Sequence, residues 1–377
     1  MSATVPLPLV SALLELERAV GRLAESVRDP ARREQLWADA ARRDAVAAAR
    51  LDGAAVDPTD FLVATVAPEL VPPARRATGI AAHALWSGVR LAQGKARRPS
   101  PPPAFELTAP AGPKGAPLGA ASAAWRAVAE LEAADDVDAH LAAEESALAA
   151  PLPEPWTVAW LERLWCATQD GVSGRAVDRF PPHEERQAGA LLDRVEGLLG
   201  EPGLVGGIEA LGYLLRPAPV ARVASWAVPL ARLVAPALLA RAARVPEVWL
   251  PAAPVLLAER TAARLAAGGA DLDWRIWLAG ALTEAAHAER RRADELDAMA
   301  TAWRQNAGMR RRNSRLPEVL DGLFEHPAFT VRRLQRRLAT TFRGAQLIVD
   351  DLVEAGVVRE VTQRALDRVY VAADLMP

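Results

Sequence analysis

Residues 323–361 read LFEHPAFTVRRLQRRLATTFRGAQLIVDDLVEAGVVREV and contain the clearest succession of secondary-structure signals in the chain. Pro327 ends an amphipathic helix, and Thr330 can cap a second helix over VRRLQRRL. Either Thr340 or Thr341 can cap a third helix, which the glycine of the following EAG terminates. The sequence therefore predicts three consecutive helices joined by short turns.

Two short strands are predicted to complete this C-terminal segment. VVREV and DRVYVA alternate apolar and polar residues on either side of TQRAL, a pattern typical of a β-hairpin. Three helices followed by a hairpin within residues 309–377 predict a winged helix-turn-helix. We expect Leu347, Ile348 and Leu352 to anchor its third helix to the core.

The rest of the chain is predicted to be helical, which gives an all-α fold class with one small hairpin. Apolar residues recur at three- and four-residue spacing in segments such as LVSALLELERAVGRL, and β-branched runs are few. We expect an N-terminal helical region over residues 1–92 and a helical core over residues 121–308. Residues 93–120, rich in Pro, Gly and Ala, are predicted to be a linker.

Composition and charge exclude several classes of function. The net charge is −2, so any attraction to nucleic acid must be local. The only cysteine, Cys166, excludes an internal disulfide and is predicted to be a small core residue. The five histidines show no ligand spacing, so we predict no metal site. Without a basic leader or a long uncharged apolar segment, we expect a cytoplasmic protein with no membrane contact.

Positive charge is concentrated at the predicted winged helix. Residues 309–343 hold nine arginines against three acidic residues, a cluster typical of phosphate contact. In a helix-turn-helix the first helix crosses the DNA backbone and the second enters the major groove, where Gln can read adenine and Arg guanine. We expect DNA contacts from Arg332, Arg333, Arg336, Arg337, Thr341, Arg343, Gln346, Arg364 and Arg368.

A second informative stretch, LLRPAPVARVASW at residues 214–226, interrupts the most apolar part of the chain. Its two prolines lack the N–H group that a regular helix needs. We therefore expect a loop between two buried helices, which is a common location for functional residues.

Several stretches together resemble the Fic family, helical enzymes that transfer AMP from ATP to a target hydroxyl. DLDWRIWLAGALTEAAHA at residues 271–288 is similar to the family's D-W-x-x-W-I-x-F-F-L segment. The C-terminal segment is similar to the winged helix of bacterial members, and WLPAAPVLLAER to the stretch after the catalytic loop. The resemblance is specific at the C-terminus and weak before Pro202. It implies a Fic-like helical core over residues 121–308.

The same resemblance implies a degenerate catalytic loop. Active members read H-P-F-x-D/E-G-N-G-R, where the His is the general base, the acid holds Mg²⁺ and the glycines wrap phosphate. In the matching stretch here, Arg222 takes the place of the first motif Arg, Ser225 that of a second, and Arg216 or Leu214 that of the His. The stretch contains no acidic residue and no glycine. Loss of a general base alone costs roughly 10²–10⁴ in rate, so we predict no catalytic residue, no cofactor and only a remnant nucleotide contact, Arg222.

AAARLDG at residues 47–53 resembles a relaxed copy of the family's inhibitory helix, with Asp52 in the place of its Glu. With Ser225 in place of the motif Arg, Asp52 would have no arginine there to block. Alternatively, Asp52 and Gly53 simply end a helix.

These observations predict a non-enzymatic, DNA-binding transcriptional regulator that acts as a homodimer, with the core as a scaffold. One alternative is a divergent nucleotidyl transferase, which needs an open polar cleft at Arg216–Arg222 containing a carboxylate; a scaffold would fill that site with Leu215 and Trp226. Another is a protein-binding partner in a toxin–antitoxin or effector system that uses residues 93–120. A winged helix with a purely structural or dimerising role is the remaining alternative.

Overall fold

The computed structural model describes residues 5–96, 157–173, 182–199, 203–216, 220, 227–307, 315–364 and 367–375. These residues form a predominantly helical fold with one small sheet near the C-terminus, which confirms the predicted all-α class. The described residues before 97 and after 156 belong to one compact unit. The predicted linker begins within the last helical turn before residue 97, and the remainder of it lies outside the described residues.

The helices and strands are named here in chain order. The helices are α1 (Leu7–Ser26), α2 (Pro30–Leu51), α3 (Pro58–Ala64), α4 (Pro73–Ala96), α5 (Val158–Ser173), α6 (Pro182–Leu199), α7 (Gly203–Leu214), α8 (Ala227–Ala242), α9 (Ala252–Ala258), α10 (Arg260–Gly268), α11 (Asp271–Asn306), α12 (Leu316–Leu323), α13 (Val331–Arg337) and α14 (Phe342–Glu354). The strands are β1 (Ala328–Thr330), β2 (Arg359–Glu360) and β3 (Val369–Val371), and short 3-10 turns occur at Pro68–Leu70 and Ala373–Leu375.

Side-chain caps explain where several helices begin. The Asp29 carboxylate accepts hydrogen bonds from the amides of Ala31 and Arg32 at the start of α2. Asp57 caps α3 in the same way, as predicted. Thr341, rather than Thr340, caps α14 by accepting from the Gly344 amide at 3.1 Å. These capping interactions satisfy amides that have no partner inside the helix.

The core lies between the N-terminal helices and the long helix α11. Helix α1 lies along α11, and α2 packs against α4, α9 and α11. Trp37 of α2 and Trp249 are both buried, with ring centroids 5.9 Å apart, and the Trp37 indole donates to the Glu247 carbonyl at 3.1 Å. The Gln93 amide donates to the Trp37 carbonyl at 2.7 Å, which places Gln93 in the core. Cys166, predicted to be a small core residue, is half-buried on α5.

A buried group of charged residues joins α2 to α11. Arg43 makes two hydrogen bonds of 2.7 Å to the Glu289 carboxylate and one of 2.7 Å to Asp39. Arg292 donates to both oxygens of Asp39, at 2.9 and 3.1 Å, and Arg42 lies 3.6 Å away. Burial raises the pKa of Asp39, but the guanidinium groups of Arg43, Arg292 and Arg42 more than offset this and hold it well below its usual range. This ionic cluster, defined as Asp39, Arg42, Arg43, Glu289 and Arg292, therefore stays charged in the interior.

Asp44 directly follows Arg43 of the ionic cluster on α2 and is completely buried. Its Oδ1 atom accepts a hydrogen bond of 2.9 Å from the Ala253 amide at the start of α9. Its Oδ2 atom has no hydrogen-bond partner among the described residues. Burial raises the pKa of this carboxyl to about 7, although the Ala253 amide and Arg43 act in the opposite direction.

Gly88 marks a close crossing of α4 with α5 and α8. A Cβ atom there would lie 2.8 Å from Thr168 Cγ2 and 3.1 Å from Leu233 Cδ1. We expect Gly88→Ala to destabilise the protein by about 1–3 kcal/mol, because overpacking outweighs the gain in helix propensity. Gly21→Ala on α1, where nothing lies within 4 Å, is the control and should stabilise by up to about 1 kcal/mol. Urea unfolding of both variants tests this, and equal stabilisation of the two would contradict it.

The C-terminal residues 315–375 form three helices and a three-stranded antiparallel sheet with strand order β1-β3-β2. The predicted hairpin pairs β2 with β3, Arg359 opposite Val371. The sequence did not reveal β1, whose residues Ala328–Thr330 pair with the other edge of β3. We call residues 315–375 the C-terminal module; its element order is helix, strand, helix, helix, strand, strand.

Candidate nucleic-acid interface

The C-terminal module is held against the N-terminal helices by polar contacts. The buried guanidinium of Arg42 on α2 donates to the Phe324 carbonyl at 2.6 Å, and Arg90 on α4 pairs with Glu325 at 2.6 Å. Arg304, near the end of α11, pairs with Asp321 on α12 at 2.6 Å. Because these contacts come from three different helices, the orientation of the module on the rest of the protein is fixed.

A very small cavity of about 10 Å³ lies at this junction. Arg42, Trp86, His326 and Arg333 are among the residues that line it. Burial lowers the pKa of His326 to about 4; Glu325 acts in the opposite direction, and the nearby guanidinium groups of Arg337 and Arg333 add to the lowering. His326 is therefore neutral at physiological pH.

Helix α14, the predicted recognition helix, packs on the module through Ala345, Val349 and Leu352. Leu352 is an anchor as predicted, and Ile348 is half-buried. Leu347 is 45% exposed, so its predicted anchoring role is wrong. The helical period explains the difference, since residue 347 lies opposite the face that carries 345, 349 and 352.

Six of the predicted DNA-contacting arginines are exposed: Arg332, Arg336, Arg337, Arg343, Arg364 and Arg368. Arg332 and Arg336 lie four residues apart on α13, and Arg343 lies in the first turn of α14. Thr341 is exposed, but its hydroxyl is occupied as the α14 cap. Gln346 donates to the Asp350 carboxylate of the next turn at 2.8 Å, an interaction that base reading would have to replace.

Two other predicted contacts are oriented toward the protein. Arg333 is half-buried and donates to the Thr65 carbonyl of the N-terminal region at 3.2 Å. The Arg337 guanidinium lies against α12, where a Cβ added to Gly322 would be 2.7 Å from its Nη2. Arg333 thus packs against the N-terminal region. Arg337 is exposed despite its contact with α12, so its predicted DNA contact stays a prediction; we leave both out of the exposed cationic set, Arg337 because its guanidinium is directed at α12.

The hairpin arginines are exposed and linked to each other. Arg368 Nε donates to the Arg364 carbonyl at 2.9 Å and lies 3.8 Å from the Glu360 carboxylate. Arg364 and Arg368 thus present charge at the tip of the hairpin, and Glu360 partly offsets the charge of Arg368.

Charge is unevenly distributed over the module. The outward face of α14 carries Arg343, Leu347, Asp350 and Glu354, so its N-terminal end is cationic and its C-terminal end acidic. Residues 344–377 hold six acidic residues against three arginines, which reverses the balance of residues 309–343. Residues 308–314, with three of the arginines in the predicted cluster, lie outside the described residues. Any phosphate contact is therefore expected at α13 and the start of α14.

The predicted degenerate loop is only partly described. Arg222, Ser225 and Trp226 lie outside the described residues, and Leu215 is buried. Arg216 donates to the carbonyls of Ala267 at 2.8 Å and Gly269 at 2.7 Å. Arg216 is one of the two residues, with Leu214, that the Fic resemblance puts in the place of the general base. Its hydrogen bonds hold the connection between α10 and α11 together.

An open cleft nevertheless lies beside Arg216. Residues of α6, α7 and α11 line it, and it contains two carboxylates, those of Glu209 and Asp271. Both are engaged by guanidinium groups, Glu209 by Arg275 at 2.5 Å and Asp271 by Arg216. The transferase alternative needs an open polar cleft with a carboxylate at Arg216–Arg222, and Arg216 does line such a cleft; the sequence did not indicate that Glu209 and Asp271 would supply its carboxylates.

Asp52 has a partner that the sequence did not suggest. Helix α2 ends at Leu51, and Gly53 has a φ of +93°, which agrees with the interpretation that these residues end a helix. The Asp52 carboxylate pairs with Arg232 of α8 at 2.6 Å. Arg232 is not at the motif position, which Ser225 occupies outside the described residues, so the prediction that Asp52 has no motif arginine to block is not tested by this pair.

No family model matches the sequence, and no curated protein matches it either. The likeness to the Fic family therefore stays a prediction from the quoted motifs. Within the part of the chain that the structure describes, no helix combines the length and the apolar character needed to cross a membrane. Nor do any three His, Cys, Asp or Glu side chains of the described residues gather as candidate metal ligands.

Proposed function

We propose that the protein is a DNA-binding transcriptional regulator that contacts DNA through its C-terminal module, with the helical core as a non-catalytic, Fic-like scaffold. The observation that carries the proposal is the exposed cationic set, which we define as Arg332, Arg336 and Arg343. It occupies α13 and the first turn of α14, the parts of a helix-turn-helix that meet the backbone and the base edges.

The geometry of α14 supports an orientation in which the N-terminal end of this helix points at the DNA. Its N-terminal turn presents Arg343 and backbone amides, and the positive end of the helix dipole adds to the attraction for phosphate. Its acidic C-terminal end, with Asp350 and Glu354, would be held away from the duplex in this orientation. The hairpin arginines Arg364 and Arg368 are placed to reach a neighbouring phosphate.

The way the C-terminal module is attached supports a role in recognising specific DNA sites, because a module on a flexible tether would not hold a fixed orientation. The contacts from Arg42, Arg90 and Arg304 fix its orientation, so two copies in a dimer would hold their recognition helices at a set distance. Leu7 and Leu14, 80% and 47% exposed and two turns apart on α1, offer an apolar surface for such a dimer. A dimer would select two half-sites separated by about one helical turn, about 34–36 Å.

The proposal is tested by selecting bound duplexes from a random-sequence library and measuring anisotropy over a range of salt concentrations. We expect a salt-dependent interaction and an enriched motif. Replacing all three arginines of the exposed cationic set by Ala should weaken binding at least about tenfold and reduce the salt slope by about 2–3. Arg343→Ala alone should cost about 1–3 kcal/mol and relax the preference at one base pair.

The matched control removes three exposed arginines elsewhere, Arg18 and Arg22 on α1 and Arg186 on α6. This variant loses the same charge, so it shows whether DNA affinity depends on the position of the three arginines or only on the net charge of the protein. Equal affinity of the two triple variants, or binding that salt does not weaken, would rule the proposal out.

A protein-binding role is the second candidate, and one observation favours it. Phe342, Leu347 and Val353 of α14 are 51%, 45% and 44% exposed, which is more apolar surface than a DNA-reading helix needs. If the library selection yields no motif, Leu347→Ala separates the two candidates, because it should weaken a protein complex by removing apolar contact area while leaving the charge of α14, and so non-specific DNA binding, unchanged.

A further inference from the structure

The cleft beside Arg216 has the dimensions and lining of a small-molecule site. Its volume of about 210 Å³ is below the range of about 300–1,000 Å³ usual for drug-sized ligands, so it suits a smaller molecule. Three guanidinium groups converge on it from separate elements, Arg194 from α6, Arg216 from the end of α7 and Arg275 from α11.

Two of these arginines are held in fixed positions. Arg216 donates to the carbonyls of Ala267 and Gly269 and pairs with Asp271. Arg275 pairs with Glu209 at 2.5 Å. Each side chain has therefore lost most of its rotamer freedom before any ligand arrives, which lowers the entropic cost of binding.

Arg194 supplies the available donors. Its Cζ atom lies 5.8 Å from the centroid of the Tyr213 ring, and the side chain is exposed. Among the described residues it makes no ion pair. Because stacking on a ring uses the face of the guanidinium, the N–H groups in its plane stay free to bind an acceptor.

The balance of charge defines the kind of ligand. Three guanidinium groups face two carboxylates, so the cleft carries an excess of one positive charge. The planar fork of Arg matches carboxylate and phosphate oxygens in a bidentate manner. Leu198 and Tyr213, which also line the cleft and are half-buried, offer apolar surface to the carbon skeleton of a ligand.

We propose that this cleft binds a small organic oxyanion, a molecule with a phosphate or carboxylate group on an apolar or aromatic skeleton. Arg194 donates hydrogen bonds to the oxyanion, and Arg275 lies beside it. Arg216 fixes the position of the residues that line the cleft. This site is separate from the exposed cationic set on the C-terminal module.

The test is isothermal titration of the full-length protein with phenyl phosphate, benzoate and neutral phenol. We expect saturable binding of at least one anion and none of phenol, and the comparison of the two anions identifies the preferred head group. Arg194→Gln should weaken anion binding by about tenfold to a hundredfold, the loss expected for one charge-assisted hydrogen bond. Since Arg194 is exposed, the fold should be unchanged, which circular dichroism checks.

Arg186→Gln on the same helix is the control, because Arg186 is exposed and does not line the cleft. Phenol binding as tightly as the anions, no saturable binding of either anion, or full affinity in Arg194→Gln would overturn the proposal. The variant that lacks Arg332, Arg336 and Arg343 should bind the probes like the wild type, so this result and the DNA result are independent.

Discussion

Asp39→Asn is expected to destabilise the protein by about 3–5 kcal/mol, because it leaves buried guanidinium groups without their carboxylate. Asp39 is 1% exposed and receives hydrogen bonds from Arg43 and Arg292, with Arg42 at 3.6 Å. After the substitution, Arg43 keeps Glu289 and Arg292 keeps Glu295, but the fully buried Arg42 loses the carboxylate 3.6 Å away. Urea unfolding followed by circular dichroism measures the loss.

The comparison variant is Asp193→Asn, which removes one exposed carboxylate from α6. It should change the free energy of unfolding by less than about 0.5 kcal/mol. If Asp39→Asn does not fold well enough to measure, Arg292→Gln removes the partly exposed member of the cluster and should give a smaller loss of the same sign. A loss below about 1 kcal/mol for Asp39→Asn would mean that the cluster is solvated in solution.

Asp44→Asn is expected to change the pH dependence of stability. The pKa of Asp44 is raised to about 7 in the folded protein, so its stabilising contribution is complete below its ordinary pKa and is lost as the pH rises to about 7. The asparagine does not titrate. The variant should therefore gain stability relative to the wild type between about pH 4 and pH 7, by on the order of 4 kcal/mol in total.

Urea unfolding of both proteins at several pH values across this range measures the difference. The side-chain carbonyl of the introduced asparagine can accept the hydrogen bond from the Ala253 amide that Asp44 Oδ1 accepts. The difference in stability between the two proteins therefore reports the ionisation of Asp44 and not the loss of this hydrogen bond. The Asp193→Asn variant should show the wild-type pH profile. Parallel profiles for Asp44→Asn and the wild type would show that Asp44 stays ionised in the folded protein.

Local features of the fold could be predicted from the sequence. The cap of α13 at Thr330 was predicted because the capping side chain and its target amide lie within three residues of each other. The end of α14 was also predictable, because Gly356, with a φ of +71°, is the residue type that most readily adopts a positive φ after a helix. Strand β1 was missed because its three residues are too few to show an alternating pattern.

Side-chain roles set by distant partners could not be predicted. Arg333 and Arg332 are neighbours in sequence, yet the first donates to Thr65, 268 residues away, and the second is exposed. The residues that line the cleft could not be predicted for the same reason, since Arg275 and Glu209 are separated by 66 residues. A charge count over a segment cannot distinguish arginines that pack from arginines that face solvent.

The separation between the members of the ionic cluster affects how the chain folds during synthesis. Arg43 and Glu289 are 246 residues apart, and Asp39 and Arg292 are 253 apart. At about 5–20 residues per second, α2 leaves the ribosome roughly 10–50 s before its partners on α11 are made. During that interval its arginines have no buried carboxylate from α11, so α2 has to stay hydrated or be shielded by a chaperone. A nascent chain that ends before α11 is therefore expected to remain sensitive to protease, and resistance should appear only once α11 has been translated.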